Sequence, residues 1–118
     1  MSASQHRAGN LIGFLDNNGC QVDGYTNDIC QIEPIDEKWT AFGWDVQRIN
    51  GHDIEQIEKA LDRTKSNISQ PHMIIADTVK GKGISFMEDK PEWHAKSLND
   101  AEYKIACSEL VEQGEGSR

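Results

Sequence analysis

The chain has 118 residues, a formal net charge of −8, 27% charged residues and 36% hydrophobic residues. This length allows one domain at most, and the composition is typical of a globular protein, not of a disordered or fibrous one. The negative charge argues against nucleic acid and against an anionic membrane surface as partners, because both call for a basic patch. It is compatible with an anionic cofactor, since a loop, a helix end or a metal ion can bind phosphate locally.

The three cysteines, Cys20, Cys30 and Cys107, form no Cys-x-x-Cys pair. Their odd number argues against a disulfide framework and favours a reducing, cytoplasmic location. The sequence opens with no charged-then-apolar leader, and no apolar run has the length of a membrane span. We therefore expect a cytoplasmic protein.

The first predicted strand is the apolar run of residues 11–15. A continuous apolar run favours a strand that is buried on both faces of a parallel sheet. The stretch 17–33 is rich in Asn, Asp and Gly, which predicts a long loop.

The first main helix is expected to begin with Pro34 at its first position. One apolar stripe then follows the helical spacing, formed by Ile35, Trp39 and Phe42. Gly43 can end the helix in the left-handed conformation.

The second predicted strand covers residues 44–49 and ends at an Asn-Gly turn. Asp53 and Gln56 resemble a capping box. One face of the helix behind them is expected to be apolar and consists of Ile54, Ile57 and Leu61.

The third predicted strand is the buried run of residues 73–76, and a loop rich in Gly and Lys follows over residues 79–98. Asn99 and Glu102 predict the start of the last helix, with Leu98 packed on Tyr103. Its buried side is expected to contain Tyr103, Ala106, Cys107, Leu110 and Val111. The tail 113–118 is expected to be frayed.

Strands and helices therefore alternate along the chain, which predicts an α/β fold with three layers, a parallel sheet flanked by helices. Ligands of such sheets bind beyond the carboxyl ends of the strands. Two loops lie at that position, one after Asp16 and one after Thr78.

The first of these loops contains oxygen ligands for a hard cation. The Asn18 side chain and the Cys20 backbone carbonyl can both contribute to the octahedral shell of Mg²⁺ or to the shell of Ca²⁺. Gly19 allows the tight turn that brings the two oxygens to one point. The alternative is that Asn-Asn-Gly is simply a turn, which is the commoner meaning of this pattern.

The second loop combines glycines, which let an anion approach the backbone, with Lys80 and Lys82. His94 can donate a hydrogen bond to a phosphate or substrate oxygen, or carry a proton. The alternative is a solvated loop with a surface histidine. We expect His52 and His72 to be structural.

Four segments, in this order and at this spacing, resemble the thiamine diphosphate-binding domain of transketolases: Asn-Leu-Ile-Gly-Phe-Leu-Asp-Asn-Asn-Gly (10–19) with Gln-Val-Asp-Gly (21–24), Phe-Gly-Trp (42–44) with Ile-Asn-Gly-His-Asp (49–53), Ile-Ala-Asp-Thr-Val-Lys-Gly-Lys-Gly (75–83), and Glu-Trp-His (92–94). The first segment resembles the end of the family's cofactor motif. The resemblance is closest to the amino-terminal subunit of split, two-chain transketolases.

The resemblance implies roles for particular residues. Asn18 matches a side-chain ligand of the metal, and Cys20 matches the residue that gives the metal a backbone carbonyl. Gly19 lies between them in the cofactor-binding turn. His94 matches a catalytic histidine near the diphosphate and the donor substrate. Ala95 departs from the family pattern, which has Gly at this position.

A further departure is that the chain contains no Gly-Asp-Gly, the segment that opens the family's motif and supplies its main metal-binding aspartate. The resemblance therefore implies an incomplete thiamine diphosphate-binding fold, a single partial domain over residues 1–118 without the first strand and helices. The expected partners are a carboxy-terminal transketolase subunit, a chain with the Gly-Asp-Gly segment, or both, in a homo- or hetero-oligomer.

The implied reaction is transfer of a two-carbon ketol unit between sugar phosphates, with thiamine diphosphate and Mg²⁺ or Ca²⁺ as cofactors. The isolated chain is expected to be inactive. Three alternatives stay open. These are a fragment of a deoxyxylulose-phosphate synthase-like enzyme, a non-catalytic remnant or docking subunit, and an α/β binding module for another ligand.

Overall fold

The computed structural model of the chain describes residues 1–22 and 24–115, with side chains described up to residue 112. The elements are, in chain order, α1 (Ser2–Gln5), β1 (Ile12–Asn17), β2 (Cys20–Gln21), β3 (Gly24–Tyr25), α2 (Thr26–Ile29), α3 (Ile35–Ala41), β4 (Asp45–Asn50), α4 (Ile54–Thr64), β5 (His72–Asp77), a 3₁₀ turn (Pro91–His94) and α5 (Asp100–Glu115).

The chain divides into two compact units. The first contains Met1–Asn17 and Ile32–Thr78, and the second contains Asn18–Gln31 and the chain from Val79 onward. The single partial domain expected over residues 1–118 stays a prediction. The frayed tail expected over residues 113–118 lies outside the described side chains and, from residue 116, outside the described chain.

A three-stranded parallel sheet forms the centre of the first unit, in the order β1-β5-β4. Met73 of β5 pairs with Gly13 of β1 on one side and with Val46 of β4 on the other. The three predicted strands are therefore parallel neighbours in one sheet, and this prediction is confirmed.

The core of the first unit lies against the central strand. Ile74 and Ile75 of β5 are fully buried, and Met73, Ile75 and Ile35 form a buried cluster. Trp39 and Trp44 pack against this cluster, with their rings edge to face and the centroids 4.8 Å apart. The two tryptophans are thus core residues.

Strand β1 is not buried on both faces, and the prediction was wrong on this point. Its side chains alternate, and Ile12 and Phe14 are 38% and 50% exposed. The described elements therefore leave one face of this edge strand half-exposed. An apolar run alone cannot distinguish these two environments.

Helix α3 begins at Ile35, so Pro34 caps the helix and is not its first residue. Ile35 is buried, but Phe42 is 48% exposed because the helix ends at Ala41, before Phe42 completes the stripe. Gly43 has φ +81°, which is the left-handed conformation expected after the helix.

Helix α4 has the predicted cap, and its buried side matches the predicted face only in part, since Ile57 is half-buried. The carboxylate of Asp53 accepts from the Gln56 backbone N–H at 3.1 Å. The buried residues are Ala60 and Thr64, whereas Ile54 is 67% exposed. Small side chains let this helix approach β4, where Gln47 Nε2 donates to the Ala60 carbonyl oxygen at 3.0 Å.

The second unit contains more regular structure than the predicted loop over residues 17–33. Strands β2 and β3 pair in an antiparallel hairpin, with Cys20 opposite Tyr25, and α2 follows directly. These elements are too short to produce a recognisable apolar period in the sequence.

Helix α5 begins as predicted. Asn99 Oδ1 accepts from the Glu102 backbone N–H, and the Glu102 carboxylate accepts from the Asn99 N–H, both at 2.9 Å. Its predicted buried side was wrong, because only Ala106 of that stripe is buried and Tyr103 is 61% exposed. Within the described residues, no helix combines the length and the apolar character needed to cross a membrane.

Candidate metal and cofactor site

The turn after β1 contains three of the predicted site residues, Asn18, Gly19 and Cys20. The Asn18 side-chain oxygen accepts a hydrogen bond from the Cys20 backbone N–H at 3.0 Å, as in an Asx turn. Gly19 has φ +71°, a conformation that residues with a Cβ rarely adopt. The Gly19 carbonyl accepts from the N–H of Thr26 at 2.8 Å. Side-chain and backbone hydrogen bonds therefore fix the same turn.

The oxygens of this turn fit part of the shell of a hard cation. The Asn18 amide oxygen and the Cys20 carbonyl are neutral donors of the kind that Mg²⁺ and Ca²⁺ accept. In the described part of the chain, no three His, Cys, Asp or Glu side chains are grouped around a metal position. The fit of these two neutral oxygens to a cation is therefore partial.

The surroundings of the Cys20 thiol disfavour its thiolate form. Burial raises the pKa of the Cys20 thiol, and the nearby Asp89 raises it further, while Lys80 acts in the opposite direction. A thiol with a raised pKa is neutral at pH 7, whereas metal binding and nucleophilic attack require the thiolate. Only the backbone of Cys20 is suited to the predicted role.

Polar side chains join the carboxyl ends of β1 and β5, immediately before this turn in sequence. The Asp16 carboxylate accepts from the Thr78 hydroxyl, and Asp77 Oδ1 accepts from Asn17 Nδ2 at 2.7 Å. The Thr78 N–H also donates to the Asn17 carbonyl at 3.2 Å. The end of β1 is thus held by side-chain and backbone contacts with β5 and the residue after it.

Arg48 is a residue that the sequence analysis missed. Its guanidinium lies 2.8 Å from Asp77, 2.9 Å from Glu33 and 3.7 Å from Asp36. Hydrogen bonds to Asp77 and then Glu33 raise the pKa of Arg48, and hydrogen bonds from Arg48 lower the pKa of both carboxyls. Asp77 and Glu33 are 29 and 15 residues away from Arg48 along the chain. Only knowledge of the strand order could have indicated that these side chains meet.

His94 is exposed at the end of the 3₁₀ turn Pro91–His94. It lines an open cavity of about 700 Å³ within the second unit. The walls of this cavity come from the hairpin, from α2 and from the 3₁₀ turn, and include Tyr25, Asp28, Ile29, Pro91, Glu92 and His94. A ligand can therefore reach His94 from solvent, next to two acidic side chains.

The neighbouring Trp93 anchors this turn. Its indole N–H donates to the Phe86 carbonyl oxygen at 3.1 Å, and the two rings are 5.4 Å apart. Lys96 Nζ lies 3.9 Å from the centre of the Trp93 ring. Trp93 is packed while the next residue, His94, stays accessible, which is a suitable arrangement for a residue that contacts a ligand.

The β2–β3 hairpin connects the predicted site residues. Cys20, in the turn of residues 18–20, pairs with Tyr25, and Tyr25 lines the cavity that contains His94. The Tyr25 hydroxyl donates to the Asp89 carbonyl at 3.0 Å, in the loop that leads to His94. Asn18, Gly19 and Cys20 thus form one turn, and His94 belongs to a cavity with the same hairpin in its wall.

The family model described as the transketolase, thiamine diphosphate binding domain matches residues 1–112 of this chain. The chain is 43% identical over 114 residues to a 6-deoxy-6-sulfo-D-fructose transketolase subunit of a Clostridium species, covering 97% of this chain and 42% of that protein. It is 41% identical over 113 residues to an apulose-4-phosphate transketolase subunit of Actinobacillus succinogenes, covering 96% of this chain and 41% of that protein.

Human transketolase is 36% identical over 96 residues, which are 81% of this chain and 15% of that protein. Among solved structures, transketolase from Campylobacter jejuni superposes with a TM-score of 0.85 at 31% identity, over 93% of this chain and 17% of that one. The chain thus spans about two-fifths of the length of the two transketolase subunits. From the family match and these relatives, the chain belongs to the transketolase family and corresponds to part of its amino-terminal, thiamine diphosphate-binding domain.

Proposed function

We propose that this chain is the metal- and diphosphate-binding part of a split transketolase-type enzyme, which transfers a two-carbon ketol unit between sugar phosphates in the cytoplasm. Asn18 and the Cys20 carbonyl bind Mg²⁺ or Ca²⁺, Gly19 permits the turn, and His94 contacts the cofactor and the donor substrate. Thiamine diphosphate, when bound, supplies the nucleophilic carbon and the electron sink of the reaction.

The observation that carries this proposal is the Asn18 turn. The Asn18 side chain and the Cys20 backbone belong to one hydrogen-bonded turn, directly after a parallel strand. Ligands of open parallel sheets bind beyond the carboxyl ends of the strands. The turn also lies within the part of the chain that matches the thiamine diphosphate-binding domain.

The negative charge of the chain supports a metal ion in the proposed site. The cavity next to the hairpin has the acidic residues Asp28 and Glu92 in its walls, and the chain carries a net charge of −8. A diphosphate would be repelled by this field unless a divalent cation neutralised it, because a bound cation is the largest local charge at such a site. The role of Asn18 and Cys20 is to hold that cation.

We further propose that a companion chain completes the site. Mg²⁺ usually binds to at least one carboxylate, and the Asn18 turn offers only neutral oxygens. The companion would carry a Gly-Asp-Gly segment, the carboxy-terminal transketolase half, or both. The half-exposed side of β1, with Ile12 and Phe14, is an apolar surface on the edge strand of the described sheet, which is a favourable position for a partner.

The alternative is a docking subunit without a catalytic role. The sequence contains no Gly-Asp-Gly aspartate, and no group of three metal-binding side chains is found among the described residues; both observations favour the docking role for this chain alone. Cofactor binding by the chain together with its companion distinguishes the enzyme subunit from the docking subunit. Residues of this chain would contribute to that binding in an enzyme subunit and would not in a docking subunit.

The test is cofactor binding by the chain assembled with such a companion. We expect Asn18→Ala to weaken metal-dependent binding of thiamine diphosphate by at least about tenfold, because Ala provides no oxygen for the cation. Asn27→Ala is the matched control, since Asn27 is an exposed residue of α2 that does not belong to the turn. Equal affinity of the Asn18→Ala assembly and the unmodified assembly would contradict the proposed role.

A further inference from the structure

The loop after Thr78 has the sequence features of an anion site. Gly81 and Gly83 have φ values of +72° and +96°, and glycines in such conformations can turn successive backbone N–H groups toward one point. Lys80 and Lys82 add positive charge. On this basis alone, a phosphate would be the expected ligand.

In the structure, a carboxylate of the same loop takes this position. The Gly83 N–H donates to Glu88 Oε1 at 3.0 Å, and Lys82 Nζ lies 3.4 Å from the same oxygen. One oxygen of Glu88 therefore accepts a backbone hydrogen bond and also forms an ion pair with a lysine. These are the two kinds of contact that a phosphate oxygen would use at such a loop.

The rest of the loop closes tightly around this contact. The Asp89 N–H donates to the Lys80 carbonyl at 2.9 Å. A Cβ added to Gly81 would lie 2.7 Å from both the Cβ and the carbonyl oxygen of Met87, so the backbone of Gly81 packs directly against the residue before Glu88. The loop thus brings its two ends together and places Glu88 next to the glycines.

The same loop continues into the turn that carries His94. The Phe86 carbonyl accepts from Lys90 Nζ at 2.8 Å and from the Trp93 indole N–H at 3.1 Å. A short chain of contacts therefore leads from the glycines, through residues 86–90, to Trp93 and the adjacent His94.

We infer that Glu88 is the internal anionic ligand of the Lys82–Gly83 turn, so that this loop is a structural element that positions the Trp93–His94 turn and is not a phosphate-binding site. A phosphate oxygen at the Gly83 N–H would occupy the position of Glu88 Oε1 and would have to displace it. Diphosphate binding is then left to the metal site proposed at the Asn18–Cys20 turn. The statement about His94 rests on the function proposed above, whereas the assignment of Glu88 does not.

The test is nuclear magnetic resonance of the full chain, without cofactor, in which the Gly83 amide and the Trp93 indole N–H are direct reporters. In Glu88→Ala we expect hydrogen exchange at the Gly83 amide to become roughly tenfold faster, because one charge-assisted hydrogen bond is lost. The Trp93 indole resonance should shift as well. Glu55→Gln is the control, since Glu55 forms an exposed ion pair on α4, and it should change neither signal.

Added anions distinguish a loop in which Glu88 is the internal ligand from a loop that binds phosphate. Acetate should restore slow exchange at Gly83 in Glu88→Ala, because it returns a carboxylate to the vacated position. Inorganic phosphate should shift the Gly83 resonance in Glu88→Ala but not in the unmodified chain. If phosphate shifts this resonance equally in both, the loop is a phosphate site and the inference is wrong.

Glu88→Gln provides a second variant with the same shape and no charge, and it applies if Glu88→Ala does not fold. Exchange at Gly83 should then be several-fold faster than in the unmodified chain, because a neutral acceptor forms a weaker hydrogen bond. Unchanged exchange at Gly83 in Glu88→Gln would overturn the assignment. None of these measurements involves the cofactor, so a failure of the proposed function would leave their outcome unaffected.

Discussion

Arg48 and Asp77 form a two-point contact between neighbouring parallel strands, with Nε 2.8 Å from Oδ2 and Nη2 3.1 Å from Oδ1. The same Oδ1 accepts from Asn17 Nδ2 at 2.7 Å. Asn17 and Asp77 are the last residues of β1 and β5, and Arg48 belongs to β4. One carboxylate therefore links all three strands at the end of the sheet from which the Asn18 turn departs.

The first prediction concerns the stability that this contact provides. Arg48→Met keeps most of the apolar stem and removes the charge. We expect the free energy of unfolding at neutral pH to fall by about 1 kcal/mol, since a two-point pair exceeds an ordinary surface ion pair but remains partly screened by solvent. Urea denaturation measures the change. Lys59→Met is the control, because its pair with Glu55 is 76% and 82% exposed, and it should change stability little.

The contribution of Arg48 to the free energy of unfolding should also depend on pH. The hydrogen bond from Arg48 is the main cause that lowers the pKa of Asp77 in the folded chain. A carboxyl with a lowered folded pKa stabilises the fold above its unfolded pKa of about 3.9, and this stabilisation is lost as the pH falls through the folded pKa. The stability difference between the unmodified chain and Arg48→Met should therefore shrink below about pH 4. A difference that stays constant into the acid range would contradict the assignment.

The second prediction concerns His72, which is fully buried at the start of β5. Its Nε2 lies 2.6 Å from the Asn67 carbonyl oxygen and therefore donates a hydrogen bond. Its Nδ1 lies 3.5 Å from Asp45, too far for a good hydrogen bond, and has no such partner among the described residues. The Asn67 contact is thus the one that a substitution would remove.

We expect His72→Leu to lower the free energy of unfolding by about 2 kcal/mol, because it leaves the Asn67 carbonyl without its donor. His6→Leu serves as the control, since His6 is exposed near the start of the chain. Chemical denaturation of both variants makes the comparison. Equal stability of the two would show that the buried hydrogen bond contributes nothing.

The three parallel strands and both helix caps could be predicted because their signals are local, whereas the strand order β1-β5-β4 could not. Asp53 with Gln56 and Asn99 with Glu102 are three residues apart, and the apolar run of β5 is buried in full. The buried sides of the helices could not be predicted in the same way. Ala60 and Thr64 face the sheet on α4 because they are small, and an apolar pattern favours Ile54 and Leu61 in their place.

At the site, the residues within one turn could be predicted, and the long-range contacts could not. Asn18 and Cys20 are two residues apart, so a tight turn brings them together. Arg48 has no neighbour in sequence that indicates Asp77 as its partner. Glu88 was missed for a different reason, because the glycines and lysines before it suggest an external anion and the structure supplies an internal one.

The third prediction concerns His94. In the enzyme assembled with its companion, His94→Ala should reduce kcat by roughly a hundredfold, the range typical for loss of a group that moves or orients a proton. The melting temperature should change little, because His94 is exposed. His6→Ala is the matched control, since His6 is an exposed residue of the first unit. A large fall in melting temperature with unchanged kcat would mean that His94 is structural.

The proposed function requires that this chain contribute only part of the metal and diphosphate site. The Asn18 amide and the Cys20 carbonyl are neutral ligands, and Mg²⁺ bound to a diphosphate usually relies on a protein carboxylate as well. A chain with the described turn alone should therefore hold the cofactor poorly, and a companion with the Gly-Asp-Gly segment should restore binding. Asn18→Ala should abolish most of the cofactor binding that the companion restores.

Titration calorimetry of the purified chain with thiamine diphosphate, with and without Mg²⁺, measures whether the chain binds the cofactor without its companion. We expect no saturable heat for the chain alone, and metal-dependent binding once the companion is added. Tight, metal-dependent binding by the chain alone would contradict the proposed function and would require a carboxylate ligand other than the residues assigned here.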